Sequence, residues 1–173
     1  MSDTALLIID VQTGFFDETP PIYEGDAMLQ RMQSLAEAAR KVNAPVLYMR
    51  HNEGPEAEWP IHPAIAPRDN EPVIEKLTCD SFHDTPLQQM LDSRGIKRLV
   101  ITGFQTEYCI QTSARRANEL GYAVTVVQDG HSTFDSAEQT AADIIRTYND
   151  QLSVFAHIIP ADSIVLGSDE VEG

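Results

Sequence analysis

Three side chains in this chain of 173 residues have the types that a covalent hydrolysis needs, and they lie far apart in sequence: Asp10, Lys76 and Cys109. A thiol attacks a carbonyl as its thiolate, so it needs a proton acceptor and a positive environment. Cys109 follows the apolar run Leu99-Val100-Ile101-Thr102 across a short turn, Gly103-Phe104-Gln105-Thr106. With Thr106 as N-cap, Cys109 is the third residue of a helix, where unpaired amides and the helix dipole favour an anion. Asp10 closes the apolar run Ala5-Leu6-Leu7-Ile8-Ile9 and is placed to take the thiol proton and return it. Lys76 supplies charge that lowers the thiol pKa, and the turn amides before and at Cys109 supply an oxyanion hole. Taken singly, each has a plain structural alternative: Cys109 a small core residue, Asp10 a strand-end cap, Lys76 a surface lysine. Cys79 stands at no helix start or strand end and reads as structural.

The elements that must position these residues alternate along the chain. Besides the runs ending at Asp10 and Thr102, apolar runs occur at 46–49, 123–127 and 154–159, with Val73-Ile74 as a short additional strand. Runs apolar on both faces suit a parallel sheet covered on both sides. Helical spacing marks about 27–43 and about 106–120, the latter stopped by Gly121. Thr85-Pro86-Leu87-Gln88 opens another helix, stopped by Gly95, and Asp135 with Glu138 forms a capping box for a helix to about 150. This alternation predicts an α/β fold: a doubly wound three-layer α/β/α sandwich. Its six-stranded, mostly parallel, Rossmann-like sheet takes the order 3-2-1-4-5-6, in one domain over 1–173. In that order Asp10 and Cys109 meet where the strand order reverses, the place where open α/β sheets bind ligands. The stretch 52–82 is long, rich in Pro and charge, and expected to be functional. The tail 167–173 is acidic and expected to fray.

The formal net charge of −15 repels phosphate and excludes nucleic acid and anionic membrane surfaces as partners. No run approaches the roughly 18 apolar residues that span a bilayer. The acidic start Met1-Ser2-Asp3-Thr4 lacks a basic leader, and the two cysteines read as thiols, so a cytoplasmic location is expected.

The segments around the three residues resemble those of the isochorismatase-like cysteine hydrolases, a superfamily of isochorismatases, nicotinamidases and N-carbamoylsarcosine amidases. They are Leu7-Ile8-Ile9-Asp10-Val11-Gln12-Thr13-Gly14-Phe15, then Val73-Ile74-Glu75-Lys76 with Ser81-Phe82, then Thr102-Gly103-Phe104-Gln105-Thr106-Glu107-Tyr108-Cys109-Ile110 with Ala114 and Arg115. Asp129 and Ser132-Thr133 fit the segment after the next strand. The resemblance implies Cys109 as nucleophile, Asp10 as base, Lys76 as thiolate partner and a covalent intermediate. It implies a cis peptide at Phe104–Gln105, an oxyanion hole from the N–H groups of Gln105 and Cys109, and a homo-oligomer, dimer or tetramer. Nicotinamidases resemble one another in an Asp-x-His…His metal site after the second strand. Here Tyr48-Met49-Arg50-His51 puts Met49 at the aspartate position, and a thioether does not replace a carboxylate on such a metal. No catalytic metal, no cofactor and no nicotinamide substrate are therefore expected.

The expected substrate is a small molecule, cleaved at an amide, lactam or carbamoyl C–N bond. The alternatives are isochorismatase-type vinyl ether hydrolysis with Asp10 as acid, and a non-enzymatic binding protein on the same fold. For the pocket, His51 ends a strand and faces the crevice, while His62 lies on the long loop, as a substrate contact or a packing residue. Phe15, Trp59, Phe82 and Tyr108 are candidates for an apolar lining, or for core and subunit contacts. Gln105 and Tyr108 flank the nucleophile and are the expected specificity residues. Arg50 and Arg115 read as structural ion pairs or as partners of a substrate carboxylate. His83, His131 and His157 have no special placement.

Overall fold

The apolar run that ends at Asp10 becomes β1 (Thr4–Ile9), buried along its whole length. In the computed structural model, which describes residues 2–167, it is the spine of a six-stranded sheet. β2 (Val46–His51) and β3 (Val73–Lys76) lie to one side of it. β4 (Arg98–Phe104), β5 (Ala123–Ser132) and β6 (His157–Ile159) lie to the other. The expected order 3-2-1-4-5-6 holds, and every pairing is parallel rather than most of them. The rest of the acidic tail beyond Gly167 lies outside the described residues.

Both faces of β1 are covered, which is why its sequence does not alternate. Leu6 and Ile8 join the apolar cluster under α2 (Gly25–Lys41), with Met28, Met32, Leu35 and Ala39. Leu7 and Ile9 join the opposite cluster with Leu87 and Leu91 of α3 (Leu87–Ser93) and Ala114 and Ala117 of α4 (Gln111–Glu119). A single turn, α1 (Gly14–Asp17), follows β1, and α5 (Ala141–Leu152) completes the second layer.

The element ends differ from expectation for local reasons. α3 begins two residues past Thr85, whose hydroxyl still accepts from the Leu87 amide, and it ends before Gly95, which is left-handed. α5 begins at Ala141, not at Asp135. The Ser136 hydroxyl takes the amides of Glu138 and Gln139 and turns the chain on itself, and the working N-cap is Thr140, which accepts from Asp143 N at 3.2 Å. β6 is shorter than the apolar run because Phe155 and Ala156 donate back to Leu152 and finish the helix. β5 is longer because a register shift between Ile101 and Gly103 lets it continue to Ser132, so Asp129 and Ser132 lie within it. Gly103 has φ +131°, and a Cβ there would stand 2.1 Å from Ile9 O, so only glycine lets β4 press this closely on β1 beside Asp10.

Candidate active site

The carboxyl ends of four adjacent strands bring Asp10, His51, Lys76 and Cys109 together. Asp10 follows β1 in a left-handed conformation and donates its amide to Met49 O. His51 and Lys76 are the last residues of β2 and β3 and pair in register. Cys109 lies in a helical turn of π pitch, Thr106–Ile110, between β4 and α4. Gln105, not Thr106, takes the cap position: its carbonyl accepts from the amides of Tyr108 and Ile110. Thr106 is drawn inside the turn because its hydroxyl bonds the buried His131 at 2.8 Å. A cis peptide joins Phe104 to Gln105.

At the centre lies the Lys76 ammonium, shut off from solvent. Its Nζ is 2.8 Å from Asp10 Oδ2 and donates to Cys109 Sγ at 3.2 Å and to Thr78 O at 2.9 Å. His51 Nδ1 is 3.1 Å away. Asp10, His51 and Cys109 thus offer ligand atoms within 4.8 Å of one another, and the lysine ammonium already stands among them as the cation. Met49 packs into the apolar cluster with Leu47 and Ile74 and offers no hard donor at the end of β2.

Charge at this centre is finely divided. Burial pushes the Asp10 carboxyl up, further than Lys76 pulls it down, and its Oδ1 is buried with no hydrogen-bond partner among the described residues. Burial acts to lower Lys76, but Asp10 and Cys109 outweigh it and hold the ammonium protonated. Cys79 and Cys109 line the same cavity and act on each other: beside Cys109 the Cys79 thiol is drawn down to about 6, and beside Cys79 the Cys109 thiol is pushed up, with burial and Asp10 adding to the rise. The pair therefore gives up one proton readily and the second only with difficulty. Lys76 acts to lower both thiols, Cys79 through its charge and Cys109 through its charge at direct contact.

A cavity of about 260 Å³ opens onto this centre, lined by Asp10, Phe15, His51, Glu56, Cys79, Gln105, Tyr108 and Cys109. Trp59 lines an adjoining cavity of about 530 Å³. Two expected pocket residues lie elsewhere. His62 caps a 3-10 turn by accepting from Ala64 N and packs on the Phe16 ring, the loop-packing alternative. Phe82 stacks on Tyr122 at 6.0 Å against the core. Arg50 pairs with Glu75 at 3.1 Å, while Arg115 bonds Gln111 and lies over Phe155, in no ion pair among the described residues.

Other residues contribute here beyond those expected. Cys79, read as structural, lines the same cavity as Cys109, where Ser113 Oγ donates to its carbonyl and pairs with Ser81 Oγ at 2.7 Å. Gln12 is fully buried. Its amide nitrogen donates to the carbonyls of His51, Glu56 and Trp59, and its oxygen accepts the His51 amide. One side chain thus ties the pocket wall to the end of β1. Its place in the segment around Asp10 was the available signal. The Thr133 hydroxyl bonds the Gln105 side chain at 3.3 Å. His131, which had no marked placement, is buried and donates to Asn149 Oδ1 at 2.7 Å, which leaves its Nδ1 to accept from Thr106. The Asn149 amide donates to Gln128 O, which fixes that orientation.

Residues 4–160 match the family model of the isochorismatase domain. A streptothricin hydrolase of Streptomyces noursei is 34% identical over 138 residues, 76% of this chain and 50% of that protein. Nicotinamidase 3 of Arabidopsis thaliana is 26% identical across 92% of this chain and 86% of its own length. A crystal structure of a putative isochorismatase hydrolase from Oleispira antarctica superposes with a TM-score of 0.85 at 32% identity, covering 92% of this chain and 94% of that one. The chain spans about half the length of the streptothricin hydrolases it matches.

Proposed function

The chain belongs to the isochorismatase family, and from that membership we propose that it is a cysteine hydrolase cleaving a C–N bond in a small amide, lactam or carbamoyl compound. The observation that carries this reading is the single ammonium of Lys76 joined at once to Asp10 and to the Cys109 sulfur at the base of one cavity. The names of two relatives, a streptothricin hydrolase and a nicotinamidase, support it.

In this mechanism Asp10 accepts the Cys109 proton as the sulfur attacks the carbonyl carbon, and Lys76 offsets the charge. The oxyanion of the tetrahedral intermediate takes the amides of Gln105 and Cys109. Asp10 returns the proton to the leaving nitrogen as the C–N bond breaks, leaving a thioester. Water, deprotonated by Asp10, attacks the thioester and releases the acid and the thiol. Replacing Cys109 by Ala is expected to abolish turnover of a panel of small amides and any acyl adduct seen by mass spectrometry. Turnover retained in that variant overturns the proposal.

A second reading is favoured by the raised Asp10 carboxyl with its unpartnered Oδ1, which suits a group that delivers a proton. In isochorismatase-type vinyl ether hydrolysis Asp10 is the acid and the thiol is dispensable. Incubation with isochorismate separates the two: pyruvate released by Cys109→Ala but not by Asp10→Asn selects the second.

A further inference from the structure

The pocket does not end at Cys109. The outer cavity shares the walls Phe15, Glu56 and Gln105 with the inner one and widens past Trp59 to Glu18 and Asp135. Resting on the hydrolase reading above, we propose that the substrate carries an ammonium group at its non-reacting end, held in this outer cavity by Glu18, Glu56 and the aromatic wall.

Charge points that way. No lysine or arginine of the described residues lines either cavity. Among the described residues, Glu18 and Glu56 take part in no ion pair. Asp135 caps the first amide of α5 at 2.7 Å but keeps its charge beside the same opening. Lys76 offers no counterweight, because its ammonium is enclosed and already bonded to Asp10 and Cys109. An anionic tail would meet carboxylates with no cation to answer it, whereas a concave acidic wall concentrates cations.

Two further features point to a ligand. The Phe15 and Trp59 rings meet edge to face at 5.2 Å, with Phe134 at 6.2 Å from Phe15, and aromatic walls attract an alkylammonium. Deeper in, Asp10 lines the inner cavity, and its Oδ1 is buried with no partner among the described residues, an acceptor left for a nitrogen of the scissile group. The two ends of the cavity thus define an amide at one end and a cationic, partly apolar arm at the other.

The test uses the full chain and two thiosulfonates with the same leaving group, one bearing a trimethylammonium, the other a sulfonate. Labelling rates at Cys109 are followed by peptide mass mapping and normalised to a free thiol. The cationic reagent is expected to react on the order of 10-fold faster at low salt. That ratio is expected to fall toward unity in a Glu18→Gln/Glu56→Gln variant and with added salt. It is expected to persist in a variant with the remote charges removed, Asp69→Asn/Glu119→Gln, which controls for the net charge of the molecule. Equal normalised rates in the unaltered protein, or the same ratio in both variants, overturn the inference and leave the hydrolase reading standing. Labelling of Cys109 by neither reagent removes the nucleophile and overturns both.

Discussion

At the scale of single residues, the proposed chemistry depends on a buried lysine that contacts both Asp10 and the Cys109 sulfur. Replacing Lys76 by Met leaves Asp10 buried without its counter-charge and the sulfur without its donor. Turnover is expected to fall on the order of 10²–10³-fold, as a steady-state assay would register. Cys79 is drawn down to about 6 beside Cys109, so iodoacetamide labelling of Cys79 is expected to rise with a midpoint near pH 6. In Cys109→Ala that midpoint is expected to move to higher pH; an unmoved midpoint means that the thiols ionise independently. Asp10, Lys76 and Cys109 were legible because strand ends in a parallel sheet all open on one crevice. Cys79 was not, because its direction is set by Ser113, 34 residues further on. Phe82 and His62 lie on irregular backbone, where no periodicity says which way a side chain points.

At the scale of elements, one amide and one imidazole hold the site's framework. Replacing Gln12 by Ala removes four hydrogen bonds to half-buried backbone groups and is expected to cost about 3 kcal/mol in urea unfolding. It is also expected to raise KM, since Glu56 and Trp59 lose their tie to β1. His131 braces the π turn to α5 in its neutral form, and burial lowers its pKa to about 4 from an ordinary 6.5. The unfolded chain then binds the extra proton first, so this contribution is whole above about pH 6.5 and shrinks as pH falls toward 4. Urea midpoints at pH 7 and pH 5 are expected to differ less in His131→Asn than in the parent. The strand order was legible because unbroken apolar runs between helices admit few topologies. The true start of α5 was not, because Asp135 and Thr140 both head plausible capping patterns and the Ser136 turn decides between them.

Across the whole molecule, stability and chemistry are kept at opposite ends of the sheet. Arg40 of α2 grips Glu71 through two hydrogen bonds near the amino ends of β2 and β3. Burial acts to raise Glu71, but Arg40 and the Arg68 amide overcome it and hold its carboxyl below the usual range. That contribution is present at neutral pH and is lost as Glu71 protonates in acid. Arg40→Met is expected to cost about 3 kcal/mol in chemical denaturation, with kcat/KM unchanged while the protein stays folded. At the other end, the ring of Trp59 lies so close over Gly14 that a Cβ there would stand 1.9 Å from it. Trp59 is the chain's sole tryptophan. The near-ultraviolet emission of the protein is therefore the emission of its cavity wall, so occupancy by a ligand is measurable by fluorescence titration, without a label and before any turnover assay exists.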